Sequence, residues 1–444
     1  MCTLDRRAEV WPLTARPAKR LSRTSDPVVL TRLNPEQRAA AEHLDGPALV
    51  LAGPGTGKTS TLIARYARLL ELGYTPDQLF TVTFTRKAAG EIRDRLALSG
   101  TGSGQLPIGT FNSLALRIVR ESCELVGLSP DFKVIKEEDQ HRILWGLETN
   151  REIDSTDALD AISRWKGRLM SISDARREAA RFSGEARDEK MVCLRAYEGY
   201  EEMLKQAHLI DFDDQIAFAV RILSDPGARA LHAGRYAYLM VDEYQDINVA
   251  QNALLLGLLA GHRNLWVVGD DDQAIYGWRG SDPTFILEFE RRFSDARRYM
   301  LVRNYRSHPD IISASRSLVS ENKKRFEKDL RARGASPPGS ELAVRVRPAV
   351  DEYREADTIA VSIETLLNHQ VSPTDIAVLV RTNYLMPTIT AALRSHGVPY
   401  EVTEGTDFWS MPAVQAVLGG FAHLAPSHVK GRWKIPKRLE EPLV

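Results

Sequence analysis

The segment Ala52-Gly53-Pro54-Gly55-Thr56-Gly57-Lys58-Thr59 constrains the fold more than any other part of the chain. It follows the apolar run Pro47-Ala48-Leu49-Val50-Leu51 and precedes the helix-periodic stretch Leu62-Ile63-Ala64-Arg65. A strand that turns through closely spaced glycines into a helix points backbone N–H groups inward, at the positive end of that helix. The cradle this predicts runs from Gly53 to Ser60 and takes the phosphates of a nucleotide. Lys58 reaches the β- and γ-phosphates, and the Thr59 hydroxyl ligates Mg²⁺. Ala52 stands where the motif usually begins with glycine.

Three further apolar runs, Leu79-Phe80-Thr81-Val82, Tyr238-Leu239-Met240-Val241 and Leu265-Trp266-Val267-Val268, read as strands buried on both faces. Such runs, alternating with helical patterns, indicate an α/β fold with a parallel sheet. Residues 113–205 are charged and helix-periodic without a convincing strand, which marks a helical insertion. The first sheet lobe then comprises 31–112 and 206–282. A second, partial α/β lobe spans 283–405, with Met300-Leu301-Val302 and Ile376-Ala377-Val378-Leu379-Val380 as its clearest strands and Ser336–Ser340 as a loop. Residues 1–30 form a basic extension without periodicity, read as disordered, with a nucleic-acid-binding arm as the alternative. Residues 406–444 begin helical and end in a basic tail.

Two motifs follow strand ends. In Val241-Asp242-Glu243-Tyr244-Gln245-Asp246, Asp242 is placed to hold Mg²⁺ and Glu243 to polarise an attacking water, which favours hydrolysis over transfer to an acceptor. An exposed acidic turn is the alternative. The loop Gly269–Gly280 (GDDDQAIYGWRG) packs three aspartates, Gln273, Tyr276, Trp278 and Arg279 into one turn. Asp270 and Gln273 suit a phosphate- and metal-sensing end, and the aromatics and arginine suit stacking on bases. A tight turn holding core aromatics explains the same residues. Asn34-Pro35-Glu36-Gln37 offers Gln37 as a reader of an adenine edge, or simply a surface helix start. In Asn304-Tyr305-Arg306-Ser307, Arg306 suits the γ-phosphate and Tyr305 a base; a structural ion pair is the alternative.

Formal net charge is +0 across 444 residues, so a nucleic-acid partner must be held by local basic patches rather than a global field. The 3 cysteines are scattered, which excludes a disulfide frame, a zinc site or an iron–sulfur cluster and fits a reducing compartment. No apolar run approaches the ~20 residues of a membrane span. With no signal-like apolar segment at the N-terminus, the expected location is cytoplasmic, in association with the nucleoid.

These motifs, together with Thr83-Phe84-Thr85-Arg86-Lys87-Ala88-Ala89, Gly109-Thr110-Phe111 and Ile210-Asp211-Phe212-Asp213-Asp214, stand in an order that resembles the UvrD/Rep/PcrA-type superfamily 1 DNA helicases, from about residue 30 to residue 425. The resemblance implies two RecA-like lobes closing on ATP and walking 3′ to 5′ along single-stranded DNA or into 3′-tailed duplex. It implies that Lys58, Thr59, Asp242, Glu243, Gln273 and Arg306 carry ATP hydrolysis, with Gln37 and Tyr305 at the adenine. Phe84, Lys87, Thr110, Tyr276, Trp278 and Arg279 would line the DNA groove.

Ser60, Arg86 and Asn112 depart from the family's usual arginine, asparagine and histidine at those positions. The larger departure follows Glu404-Gly405-Thr406-Asp407-Phe408. There the family continues into an accessory helical domain and returns to finish the second lobe, and residues 409–444 carry neither the returning DNA segment nor its second arginine finger. The expectation is a C-terminally shortened helicase, impaired alone. Alternatives are an ATP-gated single-stranded-DNA-binding subunit completed by a protein partner, and an inactive fragment.

Overall fold

The computed structural model describes residues 33–98, 106–147, 154–334 and 343–402. The N-terminal extension, the loop at 336–340 and the tail from 406 lie outside these residues. Two compact units divide the chain, at 1–344 and 345–444.

Ten strands occur among the described residues of the first unit: β1 (Ala48–Ala52), β2 (Leu79–Thr83), β3 (Ile108–Thr110), β4 (Lys133–Val134), β5 (Leu209–Ile210), β6 (Tyr238–Val241), β7 (Leu265–Gly269), β8 (Arg297–Leu301), β9 (Arg303–Asn304) and β10 (Arg331–Ala332). Six of them form an all-parallel sheet in the order β3-β2-β6-β7-β1-β8. The four predicted strands are its central members and are buried throughout. Their side chains alternate between two separate cores, as the two-residue period of a strand requires. Leu49, Leu51, Val82, Val241 and Val267 face the helices Phe111–Glu121, Phe212–Ile222 and Val249–Leu258. Val50, Ala52, Met240, Trp266 and Val268 face the helices Lys58–Glu71 and Arg86–Leu98. Burial on both faces is why these strands read as continuous apolar runs.

Strand β8 extends this sheet at its edge, pairing with β1 from Ala48↔Arg297 to Ala52↔Leu301, and by contact residues 283–334 group with the first unit. As an edge strand β8 exposes Arg297 and Arg298 and buries Leu301, so its sequence carries no both-faces pattern. The helix Phe111–Glu121 also belongs to the sheet unit, with Phe111, Leu114, Ala115, Ile118 and Val119 in its core. The helical insertion therefore has its own core only from Ile135 onward, through Leu144, Trp165, Tyr197, Tyr200 and Leu204. A short parallel pairing of β4 with β5 closes its neck.

Lys166, on the insertion helix Ser155–Gly167, pins that body to the sheet unit. Its ammonium lies 2.6 Å from Glu201, 2.8 Å from Asp211 and 2.7 Å from Asp214, with Tyr200 beneath it. Burial among like charges pushes the Asp214 carboxyl up to about 8, while the facing carboxylates raise Lys166 against its own desolvation.

In the second unit the helices Glu352–Asn368 and Met386–Ser395 pack through Ala356, Ala360, Ile363, Ile389 and Leu393. The expected strand at 376–380 pairs with no neighbouring strand, and no strand occurs among the described residues of this unit. A strand exists only by pairing, so an apolar run without a neighbour stays irregular. No helix among the described residues is long and apolar enough to cross a membrane.

Candidate functional site

Parallel strands place all their carboxyl ends at one edge of the sheet, where open α/β folds bind ligands. Here β1 leads into the glycine loop, β2 into Phe84, β3 ends at Thr110, β6 leads into Asp242, and β7 into Asp270. Residues far apart in the chain therefore converge.

The glycine loop is closely packed. Gly57 has φ +88°, and a Cβ there would meet Gln37 Nε2 at 2.4 Å. Gly55 has φ +68°, and a Cβ there would lie 2.6 Å from the Cβ of Arg306. Both the backbone conformation and the close neighbours require glycine. Gly57 caps the helix Lys58–Glu71 without a side-chain hydrogen bond, which leaves its first-turn N–H groups for an anion. Thr56 braces the loop by donating to the Gly53 carbonyl at 2.7 Å. Lys58, Thr59 and Ser60 form the first turn of that helix.

Two flanking segments hold the loop. Gln37 donates through Nε2 to the Thr56 carbonyl at 2.8 Å, and its Oε1 accepts the Asn34 N–H at 3.0 Å. Both ends of this amide thus have protein partners, so Gln37 orders the loop, while a second N–H and a second oxygen lone pair of the amide are not used by these two bonds. On the other side Asn304 donates to the Pro54 carbonyl at 2.6 Å, and Tyr305 N–H donates to the Gly55 carbonyl at 2.9 Å. Asn34 Nδ2 donates to the Tyr305 hydroxyl at 2.9 Å, so Gln37 and Tyr305 flank one edge of the loop. Tyr305 remains 42% exposed, and the Arg306 side chain is exposed over Gly55.

At the end of β6, Lys58 Nζ lies 3.5 Å from Glu243 Oε2. Glu243 takes a left-handed backbone, φ +51°, which is strained for a residue with a side chain and common at functional turns. Burial first, and Glu243 second, push the Asp242 carboxyl up to about 7, against the opposing pull of Lys58. Burial and Glu243 likewise push Asp246 up to about 6, and its Oδ1 is buried without a hydrogen-bond partner. Three crowded carboxyls facing one ammonium form a donor set short of positive charge, which fits a divalent cation.

The acidic end of the Gly269–Gly280 loop is different. Lys328, 6% exposed, lies 2.8 Å from Asp270 Oδ1 and 2.9 Å from Asp272 Oδ2, and also pairs with Asp271. Arg325 makes two parallel bonds of 2.7 Å to Asp272, and Phe326 N–H donates to Asp271 at 2.7 Å. The three aspartates therefore fasten the segment 325–328, two cations standing against three carboxylates whose oxygens lie within 4.8 Å of one another. Asp270 also accepts from Gln273 Nε2 at 2.6 Å. Lys328 and Arg325 were invisible in the sequence reading. The one signal was the aspartate run itself, which demands a countercharge if buried.

At the other end of the loop, Phe84 stacks on Tyr276 with centroids 5.3 Å apart, and Tyr276 stands 6.3 Å from Trp278. The Arg279 guanidinium lies over both rings, 5.5 Å from Tyr276 and 4.7 Å from Trp278. Trp278 is 61% exposed, so these are not core aromatics. Thr110 pairs in register with Thr83, next to Phe84, and caps its helix by accepting Ser113 N–H at 3.3 Å. Lys87 is exposed in the first turn of the helix Arg86–Leu98. Of the expected nucleic-acid residues, Phe84, Tyr276, Trp278 and Arg279 form one contiguous surface.

Residues 33–294 match the UvrD/REP helicase N-terminal domain, and residues 299–431 match the UvrD-like helicase C-terminal domain. The ATP-dependent DNA helicase PcrA of Staphylococcus aureus is 32% identical over 411 residues, covering 90% of this chain and 54% of that protein. Its namesake in Staphylococcus epidermidis is 32% identical over 90% of this chain and 55% of its own length. The chain thus spans about half the length of the curated relatives it matches. With both the domain match and the strand-end site in agreement, the chain belongs to the UvrD/REP helicase family.

Proposed function

We propose that this chain is the ATP-hydrolysing part of a motor that moves 3′ to 5′ along single-stranded DNA and opens 3′-tailed duplex. The observation that carries this reading is the loop Gly269–Gly280. Its acidic end, where Gln273 donates to Asp270, is linked through Gln245 to Glu243, and its other end is the exposed stack of Phe84, Tyr276 and Trp278 with Arg279. Stacking beside a cation binds single strands without regard to sequence, as a translocating motor needs.

In this reading the phosphates of ATP enter the cradle Gly53–Ser60 and draw Lys58 from its pairing with Glu243. Thr59 and Asp242 would hold Mg²⁺, which supplies charge neutralisation at the phosphates when bound. Glu243, released from Lys58, accepts a proton from the attacking water. Gln273 and Arg306 stabilise charge on the transferred phosphoryl group. The adenine lies between Gln37 and the open face of Tyr305, and Lys87 and Thr110 extend the strand path beyond Phe84. The protein acts in the cytoplasm, on nucleoid DNA.

A second reading, a DNA-binding subunit completed by a protein partner, draws on the apolar run 376–380, whose Leu379 is 93% exposed. Comparing ATP turnover with and without oligo-deoxythymidine, for wild type, Lys58→Ala and Trp278→Ala, tests the first reading. Lys58→Ala abolishes turnover, and Trp278→Ala removes the DNA stimulation with a loss of about 1–3 kcal/mol of stacking. Equal turnover in all three proteins refutes the site. Nucleotide-dependent DNA binding without DNA-stimulated turnover favours the second reading.

A further inference from the structure

The carboxylates at the end of β6 and the loop after β7 are joined by one side chain that neither the motif reading nor the hydrolysis scheme uses. Gln245, 1% exposed, lies in the short turn Tyr244–Asp246. Its Nε2 donates to Glu243 Oε2 at 2.9 Å, and its Oε1 accepts the Asp270 N–H at 3.0 Å. The fit is close: a Cβ on Gly269 would stand 2.5 Å from Gln245 Oε1 and 3.2 Å from the Tyr244 backbone nitrogen. Asp270 then accepts from Gln273. The result is an unbroken series of hydrogen bonds from the Glu243 carboxylate, through one buried amide, into the loop that bears Tyr276, Trp278 and Arg279.

We infer that Gln245 is a positioning residue that carries the state of the Gly269–Gly280 loop to Glu243, so that DNA stacked on the aromatic end sets the orientation of the carboxylate. The inference rests on the hydrolysis reading above. The physical basis is that Glu243 has a strained backbone and two side-chain partners, Lys58 on one side and Gln245 on the other. ATP phosphates compete for the first. Gln245 is then the remaining restraint on the carboxylate. Only an amide serves, because the link needs a donor toward Glu243 and an acceptor toward Asp270 from the same planar group. A carboxylate at 245 keeps the acceptor and loses the donor, which separates the two halves of the link.

The test uses the full chain and the variants Gln245→Met and Gln245→Glu, with thermal unfolding to verify folding. Hydrogen exchange is followed on peptides covering Gly269–Gly280, and ATP turnover is measured with and without oligo-deoxythymidine. Gln245→Met should speed exchange in this loop about tenfold and lower DNA-stimulated turnover about tenfold or more, as expected for loss of a hydrogen bond to a charged group. Affinity for a fluorescent ATP analogue should stay within about twofold. Gln245→Glu should lose the same DNA stimulation while the loop exchanges like wild type. Full DNA stimulation in folded Gln245→Met overturns the inference, as does a loss that only follows the folded fraction. If wild type does not hydrolyse ATP, the hydrolysis reading fails on its own. The exchange arm then still decides the link: oligo-deoxythymidine must protect amides in the 242–246 turn of wild type but not of Gln245→Met, and protection in both or neither overturns it.

Discussion

Replacing Lys328 by methionine removes the cation at the centre of three carboxylates while keeping most of the side-chain volume. Asp272 would keep its two bonds from Arg325, and Asp271 would keep the Phe326 N–H. Asp270, 1% exposed, would keep the Gln273 amide and a 3.3 Å contact from the Asp272 N–H. Breaking a buried ion pair by deleting one partner costs about 3–5 kcal/mol, and the surviving hydrogen bonds favour the lower end, about 3 kcal/mol. At about 1.4 kcal/mol per factor of ten, local opening of the 325–328 segment should become roughly 100-fold more frequent. Hydrogen exchange at the Phe326 amide reads this directly, since that N–H is bonded to Asp271. Adding Asp270→Asn to Lys328→Met should restore part of the loss, because one of the two carboxylates left without a cation, Asp270 and Asp271, is then neutral. An exchange rate within about threefold of wild type, or no recovery in the double variant, would refute the claim that charge matching fastens this segment.

Other outcomes follow from the same geometry. Gly57→Ala should weaken nucleotide binding severely, since the residue sits at φ +88° and its Cβ would displace the Gln37 amide; titration with a fluorescent ATP analogue measures this. Lys166→Met should cost about 3–5 kcal/mol by stranding Asp211 and Asp214, and limited proteolysis should then cut within the helix Glu185–Gln206 first. His262, pushed down to about 4 by burial, stays neutral in the fold but takes up a proton when unfolded. Its contribution is complete above about pH 6.5 and is lost as pH falls toward 4. The loss of stability between pH 7 and pH 5 should therefore be smaller in His262→Asn than in wild type, and parallel urea curves would count against it.

The central sheet and the conformation of the glycine loop were legible because each announces itself locally. A strand buried on both faces must be apolar at every position, and a loop that wraps phosphate must have glycine where φ is positive, as at Gly55 and Gly57. The Asp242–Glu243 pair and the aromatic end of the Gly269–Gly280 loop were legible for the same reason: their residue types are costly unless they do something. Family resemblance then supplied the roles that residue types left open between a site and a turn.

What lay beyond the sequence was pairing across long separations. Nothing in Arg297–Leu301 says that it lies beside β1, because an edge strand can expose charge and still be held by its neighbour's backbone. Nothing near Lys328 says that its ammonium enters a cluster of aspartates 56 to 58 residues earlier. Gln245 appears as one more polar residue until the fold sets the Glu243 carboxylate and the Asp270 N–H on either side of it. The sequence by itself determined the central strands of the sheet, the glycine loop that follows the first of them and which residue types can do chemistry. Only the tertiary structure decided which charge neutralises which, because electrostatic and hydrogen-bond partners are chosen by distance in space, and chain order does not report that distance.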